Sequence, residues 1–198
     1  LLLVIGLTQW KTSVESPRYD QKKFDDNKQD VVVDHKEVYV EGLLAAYSKL
    51  FSYSTSGQEL SRAFIYQSTI FFDRWAMIAH KGSQYELSEE QEQVLSQFKS
   101  KLSEVQAASL PVLRDALGPA IRKEMADKNI AARTTGYGYR KIDFYGDYFV
   151  DQHSIIGFNR ETMSLLRKLR FSELTYTLKD QSGYDLVTIE SPADDVIV

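Results

Sequence analysis

The residues best suited to contact a ligand lie in the segment 135–142, where tyrosines alternate with glycines and basic residues follow. Tyr137 and Tyr139 could stack on nucleic-acid bases or pack against another protein. Arg140 and Lys141 could lie near the phosphates of such a nucleic acid. The glycines beside the tyrosines favour a bend or bulge, and the alternative is that both rings pack locally with their hydroxyl groups exposed.

The Gly-Tyr-Gly-Tyr core of this segment resembles the aromatic RNA-binding strand of the RRM fold. Three positions depart from that motif: Thr135 replaces a basic residue, Arg140 replaces Val, and Ile142 replaces an aromatic residue. An RRM also has a β-α-β unit upstream, where this sequence predicts helices. The resemblance therefore implies RNA binding only as a third hypothesis, and no functional residue is carried over from the family.

A row of carboxylates, Asp143, Asp147 and Asp151, recurs every four residues. On a single strand that spacing would place all three side chains on one face, where their oxygens could hold a divalent cation. Gly146 predicts a bend that would spoil the alignment. We therefore expect a solvated row of carboxylates rather than a metal site.

The sequence contains few other residues or motifs that are typical of catalytic or metal sites. The chain has no cysteine, which excludes a cysteine nucleophile, a zinc finger and an iron–sulfur site within it. Its three histidines, at 35, 80 and 153, fall in no metal-binding spacing, and no hydrolase, P-loop or dinucleotide motif is present. The sequence thus predicts no catalytic residue, no cofactor and no metal, and favours a protein that is not an enzyme.

Apolar residues follow a helical period through the middle of the chain. They predict helices over about 38–53, 58–80 and 89–108 and a fourth helix that Pro111 starts and that Pro119 kinks or splits. Ser88 and Gln91 have the spacing of a capping box, and Trp75 lies on the broadest apolar face of all. Residues 36–128 are therefore expected to form an antiparallel helical bundle.

The C-terminal third changes to short, aromatic-rich segments. They predict strands over about 130–140 and 141–150, a helix over 160–170 with Asn159 as its N-cap, and a strand hairpin on either side of the turn at 180–183. The order is strand, strand, helix, strand, strand. The predicted fold class is α+β: a bundle of about four helices followed by a small β-β-α-β-β sheet unit.

The chain has 198 residues with 24 basic and 28 acidic side chains, a formal charge of −4. That balance argues against the basic footprint of most nucleic-acid-binding domains. The segment 131–170 departs from it, with seven basic and four acidic residues. An apolar fraction of 43% excludes a disordered chain, and a single domain is the expectation.

The first 34 residues predict an apolar leader, Leu1 to Leu7, followed by a polar linker that ends in a short extended piece at Val31–Val33. The leader has the composition of a signal or membrane-anchor remnant, with Trp10 and Lys11 as an interfacial flank, or of a core strand. Residues 35–198 are then one domain. These features favour a cell-envelope location, periplasmic or extracellular and with a membrane tether as one form, while a cytoplasmic location stays open.

The leading hypothesis is a non-enzymatic envelope protein that acts through protein–protein contacts or self-association. One alternative is an enzyme with a dispersed carboxylate and tyrosine site; another is a nucleic-acid-binding module that uses the segment at Tyr137 and Tyr139. No nucleic-acid partner is expected under the leading hypothesis, and the membrane is met only through the N-terminus. The candidate interaction residues are Trp10, Tyr137, Tyr139, Arg140, Tyr145 and Tyr148.

Overall fold

A computed structural model describes residues 28–180 and 183–190. Four helices and four strands follow one another along this part of the chain. The helices are α1 (Lys28–Ser52), α2 (Arg62–Lys81), α3 (Glu89–Glu124) and α4 (Gln152–Lys168). The strands are β1 (Ala131–Thr135), β2 (Lys141–Tyr145), β3 (Glu173–Asp180) and β4 (Gly183–Glu190).

The fold class is α+β, as the sequence predicts, with long helices first and a β-β-α-β-β unit after them. The four strands form one mixed sheet in the order β1-β2-β3-β4. β1 pairs antiparallel with β2, and β3 pairs antiparallel with β4. The central pair, β2 and β3, is parallel because α4 carries the chain back between them.

Two predictions for the helices that precede the sheet were wrong at their boundaries. Val31–Val33 belong to α1 and are not an extended piece, so the helix begins at Lys28 inside the predicted linker. The helices predicted on either side of Pro111 form one helix of 36 residues that also contains Pro119. Each proline removes one N–H from the helical ladder, but the surrounding apolar stripe keeps the chain helical. None of the helices in residues 28–180 is long and apolar enough to cross a membrane.

The chain divides into two compact units. The first contains the described residues up to Tyr53 together with Trp75–Leu102. Its core is built from α1, the end of α2 and the start of α3, where Leu43, Leu50 and Phe98 are fully buried. Trp75 is only 5% exposed, which confirms the prediction that its helix face is buried. The predicted capping box is also present, since Ser88 N–H donates to Gln91 Oε1 at 3.0 Å and Gln91 N–H donates to Ser88 Oγ at 3.3 Å.

The second unit contains Ser54–Arg74 and the described residues from Ser103 onward. Its core joins the apolar stripe of α3 to the sheet and to α4. The largest fully buried side chains there are aromatic: Phe144, Phe149, Phe158, Phe171 and Tyr176. Four of these rings, those of Phe144, Phe149, Phe158 and Tyr176, pack edge to face or stacked on one another. Burial of rings of this size is the main stabilising contribution of the sheet face.

The helix α4 begins eight residues earlier than predicted, and its N-cap is Asp151 rather than Asn159. The Asp151 carboxylate accepts a hydrogen bond from Ser154 N–H at 2.8 Å, and the Ser154 side chain closes a capping box with the Asp151 main chain. Asn159 lies inside the helix instead, where its Oδ1 accepts a hydrogen bond from the Tyr176 hydroxyl. The N-cap residue was misassigned because both positions carry a residue type that caps helices well.

Candidate interaction site

The tyrosine-rich segment forms a turn and not a strand. β1 ends at Thr135, β2 begins at Lys141, and a short 3-10 turn, Tyr137–Tyr139, connects them. Gly136 and Gly138, on either side of Tyr137, have φ values of 78° and 60°, a region that favours glycine, so the chain leaves the strand conformation here. Tyr139 also has a positive φ, 57°, which is uncommon for a residue with a side chain. We call residues 136–140 the tyrosine turn.

The tyrosine turn presents an aromatic ring to solvent. Tyr137 is 98% exposed and Tyr139 is 40% exposed, whereas the Arg140 side chain is partly buried. An exposed tyrosine loses little conformational entropy on binding because it has few rotatable bonds. Tyr137, Tyr139 and Arg140, predicted as candidate interaction residues, therefore lie together in one short segment.

A buried arginine holds the turn from beneath. Arg114 of α3 is only 6% exposed, and its Nη1 donates to the Gly138 carbonyl oxygen at 2.8 Å. Its Nε donates to the Leu169 carbonyl oxygen, at the end of α4, at 2.6 Å. One side chain thus ties the tyrosine turn to the C-terminus of a helix. A charged donor to a main-chain carbonyl is among the stronger protein hydrogen bonds.

Two other arginines lie close enough to Arg114 to affect its ionisation. Burial, followed by the charges of Arg140 and Arg170, lowers the pKa of the Arg114 guanidinium to about 10. Both causes act in the same direction, because desolvation and like charges each disfavour the charged form.

The other candidate residues on this part of the chain lie elsewhere. Tyr145, at the end of β2, accepts a hydrogen bond at its hydroxyl from Arg122 of α3 at 2.8 Å. Tyr148 packs against Phe149 and Phe158 with ring centroids 5.3 and 6.5 Å away. Both tyrosines are partly buried and have structural partners, so the structure does not bring them into the tyrosine turn. Trp10 lies outside the described residues.

The three aspartates do not form a row. Asp143 lies in β2 and pairs with Arg133 at 3.0 Å, Asp147 accepts a hydrogen bond from Asn129, and Asp151 caps α4. The alignment is broken at the bend that Gly146 predicts, because β2 ends at Tyr145, before the second aspartate. Over the described residues, no group of three or more histidine or carboxylate side chains is placed to hold a metal ion.

A shallow groove of about 550 Å³ lies along α3 beside β1. Its apolar surface comes from Leu60, Val112, Ala116, Pro119 and Ala132. Glu59 borders a neighbouring depression, and its hydrogen bond to Lys123, supported by that residue's charge, lowers its pKa. A general acid needs a raised carboxylate pKa, so Glu59 has the opposite tendency.

Sequence reasoning missed Arg114 and Arg170, although one signal was present. Arg114 stands four residues after Leu110 and three before Leu117, on the buried face of α3. A charged residue inside an apolar stripe has to be satisfied by other polar groups, which marks it as a structural or functional candidate. Its partners could not be predicted, because they are 24 and 55 residues away along the chain.

Comparisons with known proteins identified no relative of this chain. No protein-family model, curated protein or solved structure matches the chain.

Proposed function

We propose that this protein is a non-catalytic binding protein that recognises another protein through the tyrosine turn. The observation that supports the proposal best is Tyr137, a large aromatic side chain left 98% exposed. Tyrosine and arginine are, with tryptophan, enriched at the energetic centres of protein interfaces. The turn offers both within four residues.

The anchoring of the turn supports the same function. Arg114 fixes the Gly138 carbonyl, and Tyr139 N–H donates to the Gly136 carbonyl at 3.1 Å, which closes the turn on itself. A recognition loop that is already ordered loses less conformational entropy when a partner binds. These hydrogen bonds hold the main chain on either side of Tyr137 in a defined position.

A cell-envelope location belongs to the same proposal. It is supported by the apolar leader Leu1 to Leu7, by the flanking Trp10 and Lys11 and by the lack of cysteine in the chain. A binding protein without a reaction centre is compatible with a periplasmic or extracellular role, with or without a tether at the N-terminus.

The second candidate function is binding of single-stranded nucleic acid. Tyr137 and Tyr139 could stack on bases while Arg140 meets a phosphate, since every base has a face on which an aromatic ring can stack. The net charge of −4 opposes it, because polyanion binding draws most of its affinity from excess positive charge. Protein recognition is favoured for that reason.

The test uses the whole chain. Peptides selected from a random display library against the wild-type protein are measured with the variants Tyr137→Ala and Tyr66→Ala. Tyr66 is a matched control, because it is also an exposed tyrosine (45%) but lies in α2. We expect Tyr137→Ala to weaken binding about tenfold or more, as removal of an interface hot spot does, and Tyr66→Ala to leave it unchanged.

Equal binding by the wild type and Tyr137→Ala would contradict the proposal. Sedimentation of the wild-type chain over a concentration series tells whether the partner is a second copy: self-association that Tyr137→Ala abolishes supports the proposal. Single-stranded oligonucleotides are the comparison probe. Tight binding of these, lost in Tyr137→Ala, would replace protein recognition by nucleic-acid recognition.

A further inference from the structure

The groove between α3 and β1, called the α3 groove below, lies at an edge of the sheet. In the strand order of the described residues, β1 is an outer strand and is paired with β2 alone. Three successive residues of β1 line the groove: Ala132, Arg133 and Thr134. Because successive side chains of a strand point to opposite faces, a groove that meets all three runs along the edge of β1 and not over one face.

The main chain of β1 can bind a further strand at this edge. In an antiparallel pair, alternate residues bond to the partner strand, so the residues between them direct their N–H and C=O groups away from β2. Such an edge accepts an extended segment of another protein, which main-chain hydrogen bonds hold in place.

The floor of the groove is apolar. Val112, Ala116 and Pro119 recur at helical spacing along one face of α3, and Leu60 lies beside them. Val112 is 41% exposed, so this surface is open to solvent. An apolar side chain of a ligand would be removed from water here.

Asp115 brings two hydrogen-bond acceptors to the groove. Its carboxylate is exposed, and over residues 28–180 and 183–190 it forms no ion pair or hydrogen bond. Its main-chain carbonyl lacks the usual helical donor, because the residue four positions later is Pro119, which has no N–H. Two acceptors on one residue suit a cation with several N–H groups, such as a lysine or arginine side chain.

Arg122 supplies the opposite charge at the same groove. Its side chain is exposed and donates to the hydroxyl of Tyr145, a neutral group. No acidic side chain in the part of the chain that the structure describes pairs with it. Seven residues separate it from Asp115, so the two charges lie about 10 Å apart along the helix axis.

The other basic residues of the α3 groove are neutralised locally. Lys123 pairs with Glu59 at 2.7 Å, and Arg133 pairs with Asp143 at 3.0 Å. The described lining therefore offers a ligand one negative and one positive position instead of a basic surface. A nucleic acid does not fit this pattern, since Asp115 would repel its phosphates.

We propose that the α3 groove binds an extended segment of a partner protein, which adds to the sheet beside β1. The segment carries a basic side chain for Asp115, an apolar side chain for the surface around Pro119 and an acidic side chain for Arg122. These three lie on one face of a strand when they alternate with other residues, and the two charged residues then span about 13 Å. Their long side chains cover the difference from the spacing on α3.

An extended segment suits the groove better than a helix does. A helix satisfies its own main-chain hydrogen bonds and would leave the edge groups of β1 unused. The α3 groove does not include Tyr137, so this inference goes beyond the proposed function and does not depend on it.

The probe is a fluorescent peptide, blocked at both ends, with the core Lys-Thr-Val-Thr-Glu; its neutral twin has the core Gln-Thr-Val-Thr-Gln. Fluorescence anisotropy measures the binding of both peptides to the whole wild-type chain, Asp115→Asn and Arg122→Gln. Asp127→Asn and Arg160→Gln are the matched controls, because both residues are exposed, carry the same charges and lie outside the groove.

We expect the wild type to bind the charged peptide at least tenfold more tightly than its neutral twin. Asp115→Asn and Arg122→Gln should each weaken binding of the charged peptide at least threefold, and the two controls should leave it unchanged. Asp115→Lys should reverse the preference, so that a peptide with the core Glu-Thr-Val-Thr-Glu binds it more tightly than the Lys-containing peptide does.

Methylation of the peptide main chain tests the strand pairing. Since alternate residues of an added strand bond to the edge, N-methylation at either the valine or the following threonine, but not at both, should weaken binding strongly. Equal affinity of both methylated peptides and the parent would overturn the pairing with β1.

Three further results would overturn the inference. The first is that the charged peptide does not bind the wild type, or binds Asp115→Asn equally well. The second is binding that is lost in Tyr137→Ala and kept in Asp115→Asn, which would place the peptide on the tyrosine turn. The third is self-association of the wild type, measured by sedimentation, that Asp115→Asn abolishes, since a second copy would then be the occupant.

Discussion

The buried guanidinium of Arg114 connects two distant segments of the chain through two hydrogen bonds. It donates to two carbonyls that belong to different elements, one in the tyrosine turn and one at the end of α4. Those carbonyls would otherwise lie near the protein interior without a donor. A residue of this kind specifies a local geometry more than it adds net stability, because burial of its charge is itself unfavourable.

The first prediction concerns this residue. Arg114→Met keeps much of the side-chain volume but leaves the Gly138 and Leu169 carbonyls without their donor. We expect a loss of about 2–4 kcal/mol in the free energy of unfolding, measured by urea denaturation. Arg122→Met is the control on the same helix, since Arg122 is exposed and donates to a side-chain hydroxyl, that of Tyr145, rather than to a buried carbonyl. A similarly small effect of both variants would show that the Arg114 hydrogen bonds contribute little.

The second prediction concerns pH. Burial raises the pKa of the Tyr176 phenol above its ordinary value of 10.0. The unfolded chain therefore releases this proton first, so the stability that Tyr176 contributes is present below about pH 10 and is lost as the pH rises above it. Tyr176→Phe should be less stable than the wild type at neutral pH, because Asn159 loses a donor, but should lose less stability between about pH 9 and 11.

Urea midpoints measured across that range provide the check. Tyr137→Phe removes an exposed phenol and should follow the wild-type curve. If Tyr176→Phe also follows it, ionisation of Tyr176 does not govern the alkaline limit of stability. Tyr39, whose pKa burial and the neighbouring Tyr85 also raise, is the residue to examine next.

Among the elements, α3 contains the clearest close approach. A Cβ added at Gly118 would lie 2.9 Å from the carbonyl oxygen of Ala132 in β1, so the helix and the strand touch through their backbones. A Cβ at Gly157 in α4 would make only an ordinary van der Waals contact, since its nearest atom, the Tyr148 hydroxyl oxygen, is 3.6 Å away. A side chain therefore fits at Gly157, whereas at Gly118 it would collide with the backbone of β1.

The third prediction uses that contrast. Gly157→Ala should stabilise the protein by about 0.5–1 kcal/mol, because alanine favours helix and the space is available. Gly118→Ala should destabilise it by about 1–3 kcal/mol in spite of the same propensity gain, because backbone must move to admit the methyl group. Thermal and urea unfolding of both variants give the sign. If Gly118→Ala is stabilising, β1 can shift away from the helix at little cost in free energy.

How far the elements could be predicted depends on the range of the forces that shape them. Helical periodicity located α2 and the start of α3, and Ser88 marked its N-terminus, because those signals act within a few residues. The run Val31–Val33 led to the wrong prediction of an extended segment, because β-branched residues favour strands when nothing else is considered. The proline at 111 also misled, because tertiary packing of the long stripe overrides a local break.

The same rule applies to the candidate site. Tyr137, Tyr139 and Arg140 could be identified from composition alone, and the glycines indicated the bend. Arg114 and Arg170 could not be placed beside them, because that contact depends on how α3 and α4 pack against the sheet. Tyr145 and Tyr148 were included on residue type, which does not distinguish a ring that packs inward from one that faces solvent.

At the scale of the whole molecule, the stability of the fold can be tested in the core of the first unit. Trp75 is 5% exposed and meets Tyr53 edge to face with ring centroids 5.8 Å apart. The fourth prediction is that Trp75→Ala lowers the free energy of unfolding by about 3–5 kcal/mol, a large part of the stability of an ordinary domain. Urea denaturation followed by circular dichroism provides the measurement.

Met77→Ala is the control for that variant, because Met77 lies two residues away on α2 but is 60% exposed. It should change stability by less than about 0.5 kcal/mol. If both variants unfold at the wild-type urea concentration, the α2 face that carries Trp75 contributes little to the folded state.

The parallel pairing at the centre of the sheet has a kinetic consequence. β1 with β2 and β3 with β4 are hairpins whose partners are close in sequence, and such hairpins form in microseconds. Lys141 and Glu173, which meet across β2 and β3, are 32 residues apart. Their pairing must wait until α4 has formed and returned the chain, so closure of this central ladder should be the slow step of sheet formation. Refolding after a rapid drop in denaturant should therefore slow when Ile142 or Leu174 in the central ladder is truncated to alanine, whereas truncation of Val187 in β4 should chiefly speed unfolding.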